Sequence, residues 1–125
     1  MGLVLVIYNI YIINMTWIVE TLDKRVDREL AKLPRDLYAR FLQVGELLEE
    51  YGPRTVGMPH VRFLTDGLWE MRLSGKHGIA RAICVTATKR RLIVVYVFQK
   101  KTQRTPSSIL KKAKKKAKKR AKEVE

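Results

Sequence analysis

The chain has 125 residues, 46% of them hydrophobic and 30% charged, which is enough for one hydrophobic core and too few for two ordinary domains. The formal net charge is +14, and Lys and Arg outnumber Asp and Glu by 10 to 2 in residues 61–106 and by 9 to 2 in residues 107–125, whereas residues 1–60 hold 7 against 8. A surface dominated by one sign attracts polyanions, so the second half of the chain predicts a nucleic-acid partner. The lysines of the last residues are weaker evidence, because Lys-rich ends are common and often unspecific.

Residues 1–14 (MGLVLVIYNIYIIN) are apolar, but they lack the basic start and the cleavage site of a signal peptide, and they are shorter than the ~20 residues that span a bilayer. Two interpretations remain: an additional apolar strand, or an extension upstream of a start at Met15. We prefer the second, because MTWIVETLD already reads as the first strand of a compact domain. The predicted organisation is an extension over 1–14, one domain over 15–113 and a Lys-rich helix or tail over 114–125.

Two helices are predicted after a first strand at residues 16–21, where apolar and polar residues alternate. Apolar residues from Leu22 to Leu33 recur at helical spacing, and Pro34 separates this helix from the next. The second helix keeps its apolar residues on one side and ends at Gly52-Pro53. Both helices are amphipathic, so their apolar faces need a sheet to cover them.

The following segments predict that sheet. VRFL, LWEMRL, IARAICVTA and LIVVYVF are extended runs separated by turns, and the last is apolar enough to be a central strand. Thr105 and Pro106 then predict a helix start, with a helix that docks over its first two turns and is solvated beyond Lys114. The predicted fold class is therefore α+β, with the helices collected on one face of the sheet.

Cys84 is the only cysteine, which excludes an intrachain disulfide and a multi-cysteine zinc site and fits a reducing, cytoplasmic location. Its place in the run IARAICVTAT predicts a core thiol without chemistry.

Common catalytic motifs are missing from the sequence: it has no Gly-rich phosphate loop, no GxSxG and no metal-ligand spacing. His60 is expected to be an exposed loop histidine. His77, in the turn SGKHG, is the better candidate for a general base, although the sequence shows no carboxylate to orient it. Glu70 is interpreted either as a base or as the ion-pair partner of Arg72 or Arg81, and we prefer the ion pair.

Arginine and lysine recur on the predicted strands. An arginine inside a strand costs desolvation and therefore usually has an anionic partner, and Glu70 can satisfy only one. We expect a concave basic patch on the sheet face opposite the helices, formed by Arg72, Arg81, Lys100 and Lys101.

The runs GLWEMRL, IARAIC and VYVFQKKTQRTP, followed by a Lys/Ala-rich helix, resemble the phage-derived Gp49-like branch of the RelE/HigB toxin superfamily, which belongs to bacterial type II toxin–antitoxin modules. The likeness extends from Thr16 to Ala117, and its most specific part is the F-x-K-K-T-x-x-T-P junction from Phe98 to Pro106. It implies a RelE-like fold with two N-terminal helices on a four-stranded, mainly antiparallel sheet and a basic C-terminal helix.

The resemblance also implies an activity. Members of the superfamily are ribosome-dependent mRNA interferases that cleave mRNA in the A site by attack of the ribose 2′-OH on the adjacent phosphate, without a metal or other cofactor. The implied partners are the ribosome, mRNA and a cognate antitoxin, typically a helix-turn-helix protein encoded next door; no membrane is implied.

Carried over residue by residue, the resemblance assigns Arg81 and Lys101 to the scissile phosphate and the charge of the transition state, and Arg72 to the phosphate backbone or to proton transfer. Relatives often carry a Tyr, His or acidic residue near the terminal helix, where this chain has SSIL at 107–110, so His77 is our substitute for proton transfer. The other predicted RNA contacts are Lys76, Lys100, Arg104, Arg62 and Lys111.

A second interpretation is a basic module that binds RNA or the ribosome without cutting, since the same cations would serve it. Such a module should expose aromatic rings on its sheet for base stacking. Tyr96 and Phe98 lie in the apolar strand and are expected in the core, which favours the enzyme. A third interpretation, a phage assembly component, has no support in the composition.

Overall fold

The computed structural model describes residues 16–65, 67–100 and 107–124. The predicted extension at 1–14 and the residues 101–106 lie outside this part of the chain. The described elements are the strands β1 (Ile18–Thr21), β2 (Val61–Phe63), β3 (Leu68–Gly75), β4 (Gly78–Ala87) and β5 (Arg91–Lys100) and the helices α1 (Lys24–Ala31), α2 (Arg35–Val56) and α3 (Ser107–Ala121).

The strands form one mixed sheet in the order β1-β5-β4-β3-β2, in which β1 runs parallel to β5 and the other neighbours are antiparallel. The α+β class and the apolar central strand are as predicted, but the four-stranded sheet that the resemblance implies is one strand short of the five in the structure. The run VRFL, predicted as extended, forms the three-residue strand β2 and pairs with β3 from Val61 opposite Met71 to Phe63 opposite Trp69.

Helices α1 and α2 cover one face of the sheet and enclose the main core. The side chain of Asp23 caps α1 by accepting hydrogen bonds from the backbone N–H groups of Arg25 (2.9 Å) and Val26 (3.4 Å). Alternation along β3 turns Met71 and Leu73, both fully buried, towards these helices. Every second residue of β3 therefore faces the opposite side, which carries the polar side chains described below.

Helix α3 corrects two expectations. It packs against the sheet face opposite α1 and α2, over Ile83, Ile93 and Val95, so the helices are not collected on one face. It is also docked beyond Lys114, because Ala117 is fully buried and Arg120 is 92% buried. The small alanine side chains let the helix approach the apolar strands closely, which a count of large hydrophobic residues does not reveal.

Helix α2 is interrupted where the sequence predicted its end. Gly52 has φ +79°, a left-handed conformation, and one further turn follows from Pro53 to Val56. A Cβ atom at Gly52 would lie 2.5 Å from Nε1 of Trp17, so only glycine allows this indole to lie against the kink. None of the helices in the described ranges has the length and apolar character needed to cross a membrane.

Candidate active site

The polar face of β3 and β4 brings two predicted site residues together. Arg72 on β3 lies directly opposite Arg81 on β4, and Glu70 lies two residues before Arg72 on the same face. Like charges opposite each other on neighbouring strands are unfavourable unless an anion lies between them. Glu70 and Arg81 are almost fully buried, with 5% and 3% of their surfaces exposed.

One carboxylate serves both arginines. Arg72 Nη1 donates to Glu70 Oε1 at 3.1 Å, and Arg81 Nε lies 3.7 Å from the same oxygen. Arg81 Nη1 also donates to the backbone carbonyl of Ala80 at 3.0 Å. The predicted ion pair of Glu70 is therefore confirmed with both partners. The group keeps a surplus positive charge in a place of low dielectric constant, where its attraction for an added anion is strongest.

The electrostatic strain in this group is visible in its pKa values. Burial, followed by the charge of Arg72, lowers the pKa of Arg81 despite the opposing effect of Glu70. Lys100 lies at the end of β5 opposite Ile79, and the charges of Arg81, Glu70 and Arg72 act on it as well. Burial, followed by the charge of Arg81, lowers the pKa of Lys100. Both shifts favour loss of positive charge, and a bound phosphate would reverse that preference.

A cavity of about 300 Å³ opens beside this group, where β2 begins and β3 extends past it. Arg72, Arg81 and Ser74 contribute from the sheet, Arg40 reaches it from α2, and His60 precedes β2. The backbone carbonyl of His60 accepts a hydrogen bond from Arg72 N–H at 2.8 Å, so the strand pairing fixes the histidine beside the arginine. Three guanidinium groups and one imidazole thus surround a space large enough for a phosphodiester.

Sequence reasoning missed Arg40, His60 and Ser74. His60 was expected to be an exposed loop residue without function, yet it is half-buried and lines the cavity. Its position next to a strand that pairs with LWEMRL was a usable signal. Nothing near Arg40 in the sequence indicates that its side chain reaches a sheet from the neighbouring helix.

The other predicted RNA contacts in the described residues lie outside this cavity. Arg62 is exposed on β2 opposite Glu70, Lys76 is exposed in the β3–β4 turn, and Lys111 is exposed on α3. Lys101 and Arg104 lie outside the described residues, so their assignment stays a prediction.

His77 does not line the cavity, and the expectation that it has no orienting carboxylate is wrong. Its backbone N–H donates to Asp36 Oδ2 at 2.8 Å, and its Nδ1 lies 3.4 Å from the same oxygen. The hydrogen bond from this N–H lowers the pKa of Asp36 below its ordinary 3.8. Desolvation acts in the opposite direction, and the hydrogen bond from the imidazole of His77 lowers the pKa further. Asp36 lies in the first turn of α2, 41 positions away in sequence, which explains why a local search did not find it.

Cys84 is buried in the main core, as predicted, and burial raises the pKa of its thiol to about 12. A thiol with that pKa is not a nucleophile at neutral pH. Among the residues described, no three His, Cys, Asp or Glu side chains are grouped so that they could hold a metal ion.

Comparisons with known proteins agree with this architecture. The family model described as phage-derived protein Gp49-like (DUF891) matches residues 28–120. A chain in the crystal structure of the archaeal RelE–RelB complex from Pyrococcus horikoshii OT3 is 27% identical, with 68% of this chain and 96% of that chain covered and a TM-score of 0.50. A comparison with the curated proteins found no match. The family match and the structural likeness confirm the resemblance inferred from the sequence.

Proposed function

Since this chain belongs to the phage-derived Gp49-like family, we propose that it is the toxin of a type II toxin–antitoxin module and acts as a ribosome-dependent mRNA interferase. The observation that carries the proposal is the arginine cavity, which Arg40, Arg72 and Arg81 line and in which one carboxylate, Glu70, pairs with both Arg72 and Arg81. A buried surplus of guanidinium charge fits a phosphodiester, and the +14 charge of the chain fits the ribosome.

The reaction is attack of a ribose 2′-oxygen on the adjacent phosphorus, in which the O2′–P bond forms and the P–O5′ bond breaks. The products are a 2′,3′-cyclic phosphate and a free 5′-hydroxyl. Arg81 and Arg72 stabilise the charge on the phosphoryl oxygens, with Lys101 as their predicted helper from the β5–α3 junction. Hydrogen-bond donors placed where charge develops are each worth about 10²- to 10³-fold in rate.

Proton transfer needs an acceptor for the 2′-OH proton and a donor for O5′. His60 is the imidazole that lines the cavity, and we assign it the acceptor role. We assign the protonation of O5′ to Lys100, because burial and then the charge of Arg81 lower its pKa and favour release of a proton. His77 remains a second candidate for the acceptor through its contact with Asp36. Lys76, Arg62, Lys111 and Arg104 are assigned to the phosphates of the flanking RNA.

The proposed partner is an antitoxin, because a structure similar to this chain is that of a RelE–RelB complex. We expect a small helix-turn-helix protein encoded beside the gene of this chain. The ribosome as the site of action places the protein in the cytoplasm. A non-catalytic RNA- or ribosome-binding module with the same fold is the alternative function, supported by the same cations.

The test is induced expression with and without the adjacent gene, with growth as the first readout and mapped mRNA 5′ ends as the second. Wild type should arrest growth and create new in-frame cuts, the neighbouring gene should relieve both, and Arg81→Gln should lose cleavage by about 100-fold. Lys122→Gln, which removes one exposed positive charge beyond α3, is the matched control and should cut like wild type. Ribosome binding without any cuts would reject the enzyme in favour of the binding module.

A further inference from the structure

A second concave surface lies at the other end of β2 and β3. It is a groove of about 570 Å³ between the C-terminal part of α2 and the end of the sheet, and we call it the aromatic groove. Four aromatic side chains line it: Trp17, Tyr51, Phe63 and Trp69. Phe63 and Tyr51 are 54% and 52% exposed, an unusual exposure for large rings.

The composition of the aromatic groove indicates what it binds. Its lining contains no Leu, Ile, Val or Met, although grooves that receive amphipathic helices are built from such aliphatic side chains. The polar groups in the lining are Arg54, Thr55 and Thr86. Flat rings beside a guanidinium and two hydroxyls are the chemistry that holds an unstacked nucleobase.

The rings are held in position by the backbone. Phe63 lies directly opposite Trp69 in the strand pairing, and their rings meet edge to face with centroids 5.0 Å apart. The backbone N–H of Trp17 donates to the backbone carbonyl of Glu49 at 2.8 Å, and the indole of Trp17 lies against Gly52, so this ring is also held in place. A site for a flat ligand is therefore formed before the ligand arrives.

The short edge strand β2 connects the aromatic groove to the arginine cavity. His60 lies in the cavity and Phe63 in the groove, three residues apart, which corresponds to about 10 Å along an extended strand. Arg62, between them, is exposed on the same face as Glu70. A single-stranded RNA that crosses β2 would meet arginines first and aromatic rings one or two nucleotides later.

We propose that the aromatic groove is a nucleobase subsite for single-stranded RNA whose phosphate occupies the arginine cavity. The inference rests on the proposed function, because it needs RNA in the cavity. It adds a site that contacts a base near the scissile phosphate, and thus a physical source of sequence preference.

The chain itself supplies the probe for the test, since Trp17 and Trp69 are its two tryptophans and both line the groove. Bases that stack on indole rings quench their fluorescence. A short single-stranded oligoribonucleotide with a non-cleavable 2′-O-methyl backbone should quench tryptophan emission. An abasic oligomer of the same length should bind, as measured by competition against a labelled RNA, without quenching.

Phe63→Ala is the matching variant, and Leu42→Ala on α2 is its control because Leu42 is also 50% exposed and does not line the groove. Loss of one stacking ring should weaken oligoribonucleotide binding by about tenfold in Phe63→Ala and leave it unchanged in Leu42→Ala. The weakening should vanish with the abasic oligomer.

Saturating RNA binding without quenching would overturn the nucleobase subsite. Quenching only by the antitoxin, with no response to RNA, would overturn it in favour of a protein-docking groove. Failure of the proposed function is distinguishable, because quenching and the Phe63→Ala effect are measured without cleavage. A protein that binds bases but never cuts would keep the subsite and reject the enzyme.

Discussion

Two regions of the molecule treat a buried arginine in opposite ways. Between α3 and β5, Arg120 is 92% buried, and its Nη1 donates to both oxygens of Glu29, at 2.8 and 3.1 Å, and to the carbonyl of Val95 at 3.0 Å. Glu29 Oε1 also accepts the backbone N–H of Val97 at 3.0 Å, beyond the residues that pair with β1. These contacts join α1, α3 and β5.

On the polar face of β3 and β4, Arg81 is 97% buried but shares Glu70 with Arg72, and its own distance to that carboxylate is 3.7 Å. The cavity lies beside it. Buried charge with incomplete compensation costs free energy of folding, so its presence indicates a site that an anion completes. Burial alone therefore does not distinguish a structural arginine from a binding arginine, whereas the number and distance of its acceptors does.

The largest change in stability is expected from Arg120→Met. The substitution keeps the apolar length of the side chain and leaves Glu29 without its cation, so the free energy of unfolding should fall by about 3 kcal/mol. Urea unfolding followed by tryptophan fluorescence measures it. Lys119→Met, on the same turn and exposed, is the control and should change little. An Arg120→Met protein as stable as wild type would remove the structural half of the comparison.

Glu70→Gln should have the next largest effect. It should lower the stability of the fold and strengthen the binding of RNA. Both arginines lose their carboxylate, so the free energy of unfolding should fall by about 1–3 kcal/mol. Removal of the carboxylate that pairs with Arg72 and Arg81 should tighten binding of a labelled oligoribonucleotide by roughly threefold or more at low salt. Glu46→Gln, on the exposed side of α2, is the matched control. Weaker RNA binding by Glu70→Gln would contradict the assignment of the cavity to phosphate.

Arg81→Met should change stability by less than about 1 kcal/mol, although it removes a side chain that is more buried than Arg120. Glu70 keeps Arg72 as its partner at 3.1 Å, and the cost of desolvating a second guanidinium disappears. Urea unfolding beside Arg120→Met gives the comparison directly. If Arg81→Met loses as much stability as Arg120→Met, the two arginines are equally structural and the cavity loses its main support.

The main elements of the fold could be predicted because hydrophobic spacing is local. The apolar stripes from Leu22 to Leu33 and the alternation in LWEMRL gave the helix and the polar face of β3. The docking of α3 could not be predicted in the same way, since Ala117 contributes a close approach of two backbones and Arg120 contributes a long-range ion pair. Neither leaves a periodic hydrophobic signal.

The candidate site could be predicted only in part. Arg72 and Arg81 share a strand ladder, and strand pairing follows from alternation and turns, so their meeting could be inferred. Arg40 and Asp36 act from α2 on positions more than 30 residues away, and a sequence pattern carries no information on which helical residue reaches round a sheet edge. His77 was selected by its neighbours in sequence, and it lies with α2 instead of in the cavity.

The smallest effect is expected at the contact between Asp36 and His77. This contact is exposed, whereas the contacts of Glu29 and Glu70 with their arginines are largely buried. The pKa of Asp36 is lowered, first by the backbone N–H of His77, so the folded protein binds this proton less readily than the unfolded chain does. The stability it contributes is then complete above the unfolded pKa of 3.8 and is lost as the pH falls through the folded value.

Asp36→Asn keeps a side-chain oxygen that accepts the backbone N–H of His77 but loses the negative charge. Its melting temperature should therefore lie slightly below that of wild type at pH 6 and converge with it below pH 3. Glu50→Gln, at an exposed position of the same helix, is the control for the loss of one acidic group. A difference that persists unchanged to pH 2.5 would show that the carboxylate acts through shape alone, and the β3–β4 turn would then be held without electrostatics.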